Sequence, residues 1–151
     1  MRLGKLAIPT ASIRAGDTVR TVLEECARAD VGGLPFVDDE GRILGRASMR
    51  HIMREQCIPY DAIRAAHLID DHALLPMPDV QIAALLALPI DPLIIPAAPT
   101  VTAHTPVIKG LAIMEQQGTN YLFLVEDGRY SGIVTRMRIA RRILEGNDEH
   151  L

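Results

Sequence analysis

Gly128–Arg141 reads GRYSGIVTRMRIAR, and Gly41–Arg54, 87 residues earlier, reads GRILGRASMRHIMR. Both run Gly-Arg, two residues, Gly, two residues, Ser or Thr, three residues, Ile, one residue, Arg. Each copy is predicted to be a turn, a short apolar strand, a hydroxyl residue at the strand's end, and then a helix. Ser48 and Thr135 fall at the strand–helix junction, where an N-cap belongs. A hydroxyl beside the free N–H groups of a helix start is a natural place for an anion. Two copies of the same unit make this a statement about the whole chain.

The repeat extends backwards from these stretches. Gly16-Asp17-Thr18 is a turn with a capping residue, and Val19, Val22, Leu23 and Cys26 follow at helical spacing to about Ala29. Leu34–Val37 is predicted as a strand, Asp38–Gly41 as a hairpin turn, Ile43–Ala47 as the returning strand, and a helix runs from Ser48 to about Arg54. With a brief strand at Ile13, the local order is β-α-β-β-α. Val101, Val107, Leu111, Met114 and Leu122 repeat Ile13, Val19, Leu23, Cys26 and Leu34 at a spacing of 88. The spacing becomes 87 after the turn, where the second copy is one residue shorter, a change a hairpin tolerates. Ala15, Val19, Leu23, Leu34, Val37, Asp39, Gly41, Arg42, Gly45, Ile52 and Arg54 are identical to their partners. The expected division is 1–54, a helical insertion over 55–89, and 90–151. In the insertion, 61–68 is a candidate helix and Pro78–Leu88 a stronger one, with Ile82, Leu85 and Leu86 as its apolar stripe and Pro89 as its stop. The opening residues 1–12 read as a short segment broken at Pro9.

A chain of 151 residues, 48% apolar, buries roughly 70% of its unfolded surface and needs no staples. Its net charge of −3, absence of Trp and small complement of three Tyr and two Phe speak against nucleic-acid binding. Cys26 and Cys57, without C-x-x-C spacing, support neither a zinc site nor a disulfide framework and point to a reducing compartment. Pro9 interrupts the first apolar run too early for a signal peptide, and prolines and aspartates interrupt the richest apolar stretch, so a membrane span is not expected. A cytoplasmic location follows as the expectation. Asp70-Asp71-His72 reads as a solvated loop rather than a metal site, since no second ligand group shows metal spacing. Met49, Met53, Met114 and Met137 read as core packing.

The tandem of L-P-x-V-D or L-x-x-V-E strands, acidic-Gly turns and G-x-x-[S/T] helix starts resembles a CBS-domain pair, the Bateman regulatory module. The resemblance covers residues 1–54 and 90–145. It implies an α+β fold of two β-α-β-β-α units packed through their sheets about a pseudo-twofold axis, commonly dimerising, with clefts that bind adenosine nucleotides or S-adenosyl compounds. Such modules sense a ligand and control an enzyme, channel or transporter. By the resemblance, Ser48 and Thr135 meet phosphate, Leu34-Pro35 and Tyr121-Leu122 form the strand edge that reads adenine, and Ile13 and Val101 line the base slot. The family's ribose clamp is an acidic residue three after the hydroxyl, but His51 and Arg138 stand there. Two readings of that departure compete: Arg50, Arg136 and Arg138 offer charge and forked donors to a multiply charged ligand, or the clamp is lost and these basic residues are a solvated helix face.

The function expected from the sequence is therefore a non-catalytic, homodimeric regulator of a separate protein. Its ligand is expected to be AMP, ADP, ATP or S-adenosylmethionine, with neither nucleic acid nor membrane as partner. The alternative is a ligand-free dimer that acts as an interaction scaffold. An enzyme is not expected, because no G-x-S-x-G, P-loop or H-E-x-x-H occurs.

Overall fold

The structure is a computed structural model that describes residues 1–58, 60–72 and 81–146. In the first half, helix α1 (Val19–Ala29) precedes strands β1 (Gly33–Val37) and β2 (Ile43–Ser48), and helix α2 (Met49–Cys57) follows. The short helices α3 (Tyr60–Arg64) and α4 (Ile82–Ala87) lie between the halves. The second half repeats the order with β3 (Thr100–Val101), α5 (Val107–Gln117), β4 (Tyr121–Glu126), β5 (Arg129–Thr135) and α6 (Arg136–Leu144).

The sheets are equivalent. β1 and β2 pair antiparallel, as do β4 and β5. β3 adds a parallel strand to β4. Ile13 does the same for β1, donating to the Pro35 carbonyl and accepting from the Val37 N–H, both at 2.8 Å. The register slips at Phe36/Val37 and again at Leu124/Val125, so the bulge belongs to the repeat. The one-residue difference lies in the turns. Asp127 and Gly128 take φ of 51° and 77°, a tight two-residue connection, while the longer first turn is held by the Asp38 carboxylate, which accepts from the Glu40 and Arg42 N–H groups at 2.9 Å.

Strand alternation divides the second sheet between two cores. Leu122, Leu124 and Val134 face Val107 and Met114 of α5 and Ile139 of α6. Tyr121, Phe123 and Ile133 face the first half and join Ile13, Val22, Leu34 and Ile52 in one cluster. The two units thus pack through their sheets.

Each unit also borrows backbone from the segment leading into the other. Ile8 exchanges hydrogen bonds of 2.8 and 3.0 Å with Ile133, and Ile95 exchanges bonds of 2.9 and 2.8 Å with Arg46. Leu3 and Leu6, 0% and 2% exposed, lie in the second unit's core. The opening residues are therefore part of the second unit's core and sheet. This crossing explains the repeated glycine before each hydroxyl. A Cβ on Gly45 would stand 2.5 Å from the Ile95 carbonyl oxygen, and one on Gly132 would stand 3.1 Å from the Ala7 Cβ.

Three element boundaries differ from expectation. α2 continues three residues past Arg54 and ends where Ile58 turns extended, as a residue before proline does. Residues 61–68 split into α3 and a 3-10 turn, Ala66–Leu68. Pro78, the expected start of the second helix, lies outside the described residues, and the described helix α4 starts at Ile82 after an extended Gln81. Leu85 of α4 and Leu88 just after it pack on the first core while Ile82 is 70% exposed, so Ile82 is not part of the buried stripe. Among the described residues no helix is long and apolar enough to cross a membrane.

Candidate functional site: two unequal clefts

β2 delivers Ser48 to the start of α2 in extended conformation, and its Oγ accepts the His51 N–H at 3.3 Å. The Met49 N–H donates to the Gly32 carbonyl at 3.0 Å. Two of the first three helical N–H groups are therefore satisfied within the chain. α6 repeats the arrangement: Thr135 Oγ1 accepts from Arg138 at 3.0 Å, and the Arg136 N–H donates to the Asn120 carbonyl at 3.0 Å. The anion site expected from free N–H groups is largely closed at both helices, and side chains must supply most of the attraction.

The start of α2 faces the turn between α5 and β4, across a cavity of about 490 Å³. Ser48, Met49, Arg50 and Met53 line one wall, and Gly118, Thr119, Asn120 and Tyr121 the other, with Gly32 and Arg46 between them. Gly118 closes α5 in the left-handed region, at φ 63°. Buried Thr119 then donates its hydroxyl to the Tyr121 carbonyl at 2.7 Å, which fixes the wall. The Arg46 guanidinium lies 5.8 Å from the centre of the Tyr121 ring. Burial pushes the Tyr121 hydroxyl above its ordinary value, opposed by Arg46 and by a hydrogen bond with Ser48, so the phenol is neutral near pH 7.

The pseudo-equivalent cleft lies between α6 and the end of α1 and measures about 200 Å³. Thr135, Met137, Arg138 and Arg141 face Ile8, Ala29 and Asp30. Asp30 takes the left-handed position that Gly118 takes in the first cleft, with φ 55°, and its carboxylate stands 3.9 Å from Arg141. The smaller cleft thus carries its own anion.

Ser48, Arg50 and Tyr121 share the larger cleft, and Thr135 and Arg138 the smaller. The remaining expected residues lie elsewhere. Ile13, Leu34 and Leu122 are fully buried, and Val101 is 6% exposed, so all four are core. Pro35 is buried and its carbonyl is taken by Ile13. His51 is half-buried behind the Ser48 cap, and Arg136 pairs with Glu115 at 2.9 Å. Met114 is core as expected, but Met53 and Met137 are 45% and 59% exposed, one at each cleft. Arg46, Gly118 and Asp30 went unmarked in the sequence. The signal for them was the repeat spacing, which sets Arg46 against Ile133 and Asp30 against Gly118.

Comparison with known proteins agrees with this architecture. The model of the CBS domain matches residues 7–57 and 90–145. The chain belongs to the CBS-domain family and is a tandem CBS pair. No curated protein matches its sequence. Among solved structures it is similar to CBSX2 in complex with AMP, at 20% identity, with 95% of this chain and 96% of that one covered and a TM-score of 0.66. It is also similar to a CBS domain-containing protein from Bacillus anthracis, at 15% identity, coverage of 97% and 95%, and a TM-score of 0.66. The CBS domain of a membrane protein from Sphaerobacter thermophilus is similar at 22% identity, coverage of 93% and 86%, and a TM-score of 0.66. At these identities the likeness establishes the fold.

Proposed function

We propose that this protein is a regulatory module that binds a nucleotide or related phosphorylated ligand in the larger cleft, which Ser48, Arg50 and Tyr121 line, and thereby controls a separate partner protein. AMP, ADP, ATP and S-adenosylmethionine are the candidates the family suggests. The observation that carries the reading is the larger cleft, about 490 Å³ and built from both units, with Ser48, Arg46 and Arg50 on its walls. Its size lies within the usual range for small-molecule pockets, ~300–1,000 Å³. The similar CBSX2 structure is a complex with AMP, which supports a nucleotide.

His51, where the family has its acidic residue, offers no carboxylate to ribose, so affinity rests on the charged end of the ligand. The smaller cleft is left out of the proposal because at about 200 Å³ it falls below the usual range for small-molecule pockets, and Asp30 already stands beside its Arg141. Because both units line the larger cleft, a ligand that prefers one relative arrangement of the units shifts the population toward it. Homodimerisation, a cytoplasmic location and the absence of catalysis are parts of the same proposal. So is the division into units 1–54 and 90–151 about an insertion.

Thermal unfolding with AMP, ADP, ATP and S-adenosylmethionine tests it. A ligand at a hundredfold its Kd adds about 2.7 kcal/mol, which at this chain length raises the midpoint by roughly 5 °C or more. A shift that grows with phosphate number is the expected result. No shift with any compound favours the second reading, a ligand-free interaction scaffold. That reading draws on Tyr60, Leu68 and Ile82, which expose 67%, 76% and 70% of their surface around the insertion.

A further inference from the structure

Arg46 stands where the repeat has Ile133, which is fully buried in the contact between the units. The backbones at the two positions are equivalent, each exchanging a pair of hydrogen bonds with the segment leading into the opposite unit. The first unit has thus placed a guanidinium at a position built for an apolar side chain. Its Nε is buried without a hydrogen-bond partner, the Tyr121 hydroxyl is the acceptor its guanidinium reaches, and among the described residues no carboxylate pairs with it. Such a group is expensive to desolvate unless something supplies acceptors.

Its surroundings show where those acceptors belong. Arg46 lines the larger cleft and also a second cavity of about 290 Å³, walled by Ala97, Ala98, Pro99, Thr100, Ile113 and Gln117. Ala97, Ala98, Pro99 and Ile113 give it apolar surface for a flat ring, and Arg46, Thr100 and Gln117 give it polar groups for the ring's edge. The guanidinium, steadied over Tyr121 at 5.8 Å, brings a fork of donors and no acceptor. Adenine offers such a fork one acceptor, N7, beside an amino group that is itself a donor. A 6-oxopurine offers two adjacent acceptors, O6 and N7.

Resting on the nucleotide reading above, we infer that the ring held against Arg46 is a 6-oxopurine, guanine or hypoxanthine, rather than adenine. The phosphate of the same nucleotide lies toward Ser48 and Arg50. Arg46 is then a specificity-determining residue, and the second cavity is the base subsite.

Calorimetric titration of GMP, IMP and AMP into the wild-type protein, R46I and R46K tests this. Isoleucine is the residue the repeat itself accepts there, and a thermal melt checks that both variants fold. The wild type is expected to bind GMP and IMP about tenfold or more tighter than AMP, as a lost bidentate pair implies. R46I should bring all three to a common level. R46K, charged but without the fork, should lose most of the preference as well. Tighter binding of AMP by the wild type would overturn the inference while leaving the nucleotide reading intact. So would an equal loss for all three nucleotides in R46I, which would make Arg46 a phosphate contact. Absence of binding by all three would overturn both.

Discussion

Ser48 and Thr135 each hold a backbone N–H three residues on, at 3.3 and 3.0 Å, so each hydroxyl caps a helix before it meets any ligand. Replacing either with alanine is expected to lower stability by about 1 kcal/mol, read by urea unfolding. Glu25 gives a second test at this scale. Its carboxylate takes the Arg28 guanidinium and the Ala11 N–H, and these bonds hold it below the ordinary value of 4.5 despite partial burial. With the folded value depressed, its contribution is complete above the unfolded value and is lost as pH falls through the folded one. Melts between pH 7 and pH 3 should therefore show a smaller acid-side fall in Tm for E25Q than for the wild type. Capping hydroxyls are legible in sequence because their partners lie three residues away. Arg46 was not, because its burial and the cavities beside it are made by residues from the opposite unit.

At the scale of elements, the turns and strand ends carry the repeat more faithfully than the helices do. Gly45 and Gly132 permit the close approach of the crossing segments, but with different clearances. G45A drives a Cβ to 2.5 Å from a backbone carbonyl oxygen, and G132A meets a side-chain Cβ at 3.1 Å. Overpacking of this kind costs about 1–3 kcal/mol, and G45A should stand at or above the top of that range with G132A below it. Equal destabilisation in denaturant titrations would mean that the crossing is not as described. Local periodicity disclosed α1, α5, both hairpins and both helix starts. It misjudged the insertion, where Ile82 sits at helical spacing with Leu85 yet faces outward, because which side of so short a helix is buried depends on what α1 presents to it.

At the scale of the molecule, the two units are bound by exchange. The chain's first eight residues complete the second unit, and the segment around Ile95 completes the first. Leu3→Ala should therefore cost roughly 2–5 kcal/mol although the residue lies at the very start of the chain, whereas Leu68→Ala, at a site 76% exposed, should stay within about 0.5 kcal/mol. The β-α-β-β-α order and its duplication were visible in the sequence because they are local and repeated. The exchange was not, since the pairing of Ile8 with Ile133 spans nearly the whole chain and residues 1–12 carry no periodic pattern.

The same exchange brings Ser48 and Tyr121 to one cleft and sets Asp30 in the other, so the account's central claim is one ligand site per chain. Calorimetric titration with GMP and AMP on the wild type, Ser48→Ala and Thr135→Ala measures it directly. The account predicts a stoichiometry of one per chain, at least a tenfold loss of affinity in Ser48→Ala, and less than a twofold change in Thr135→Ala. Two sites per chain, a loss confined to Thr135→Ala, or no heat from either nucleotide would contradict it.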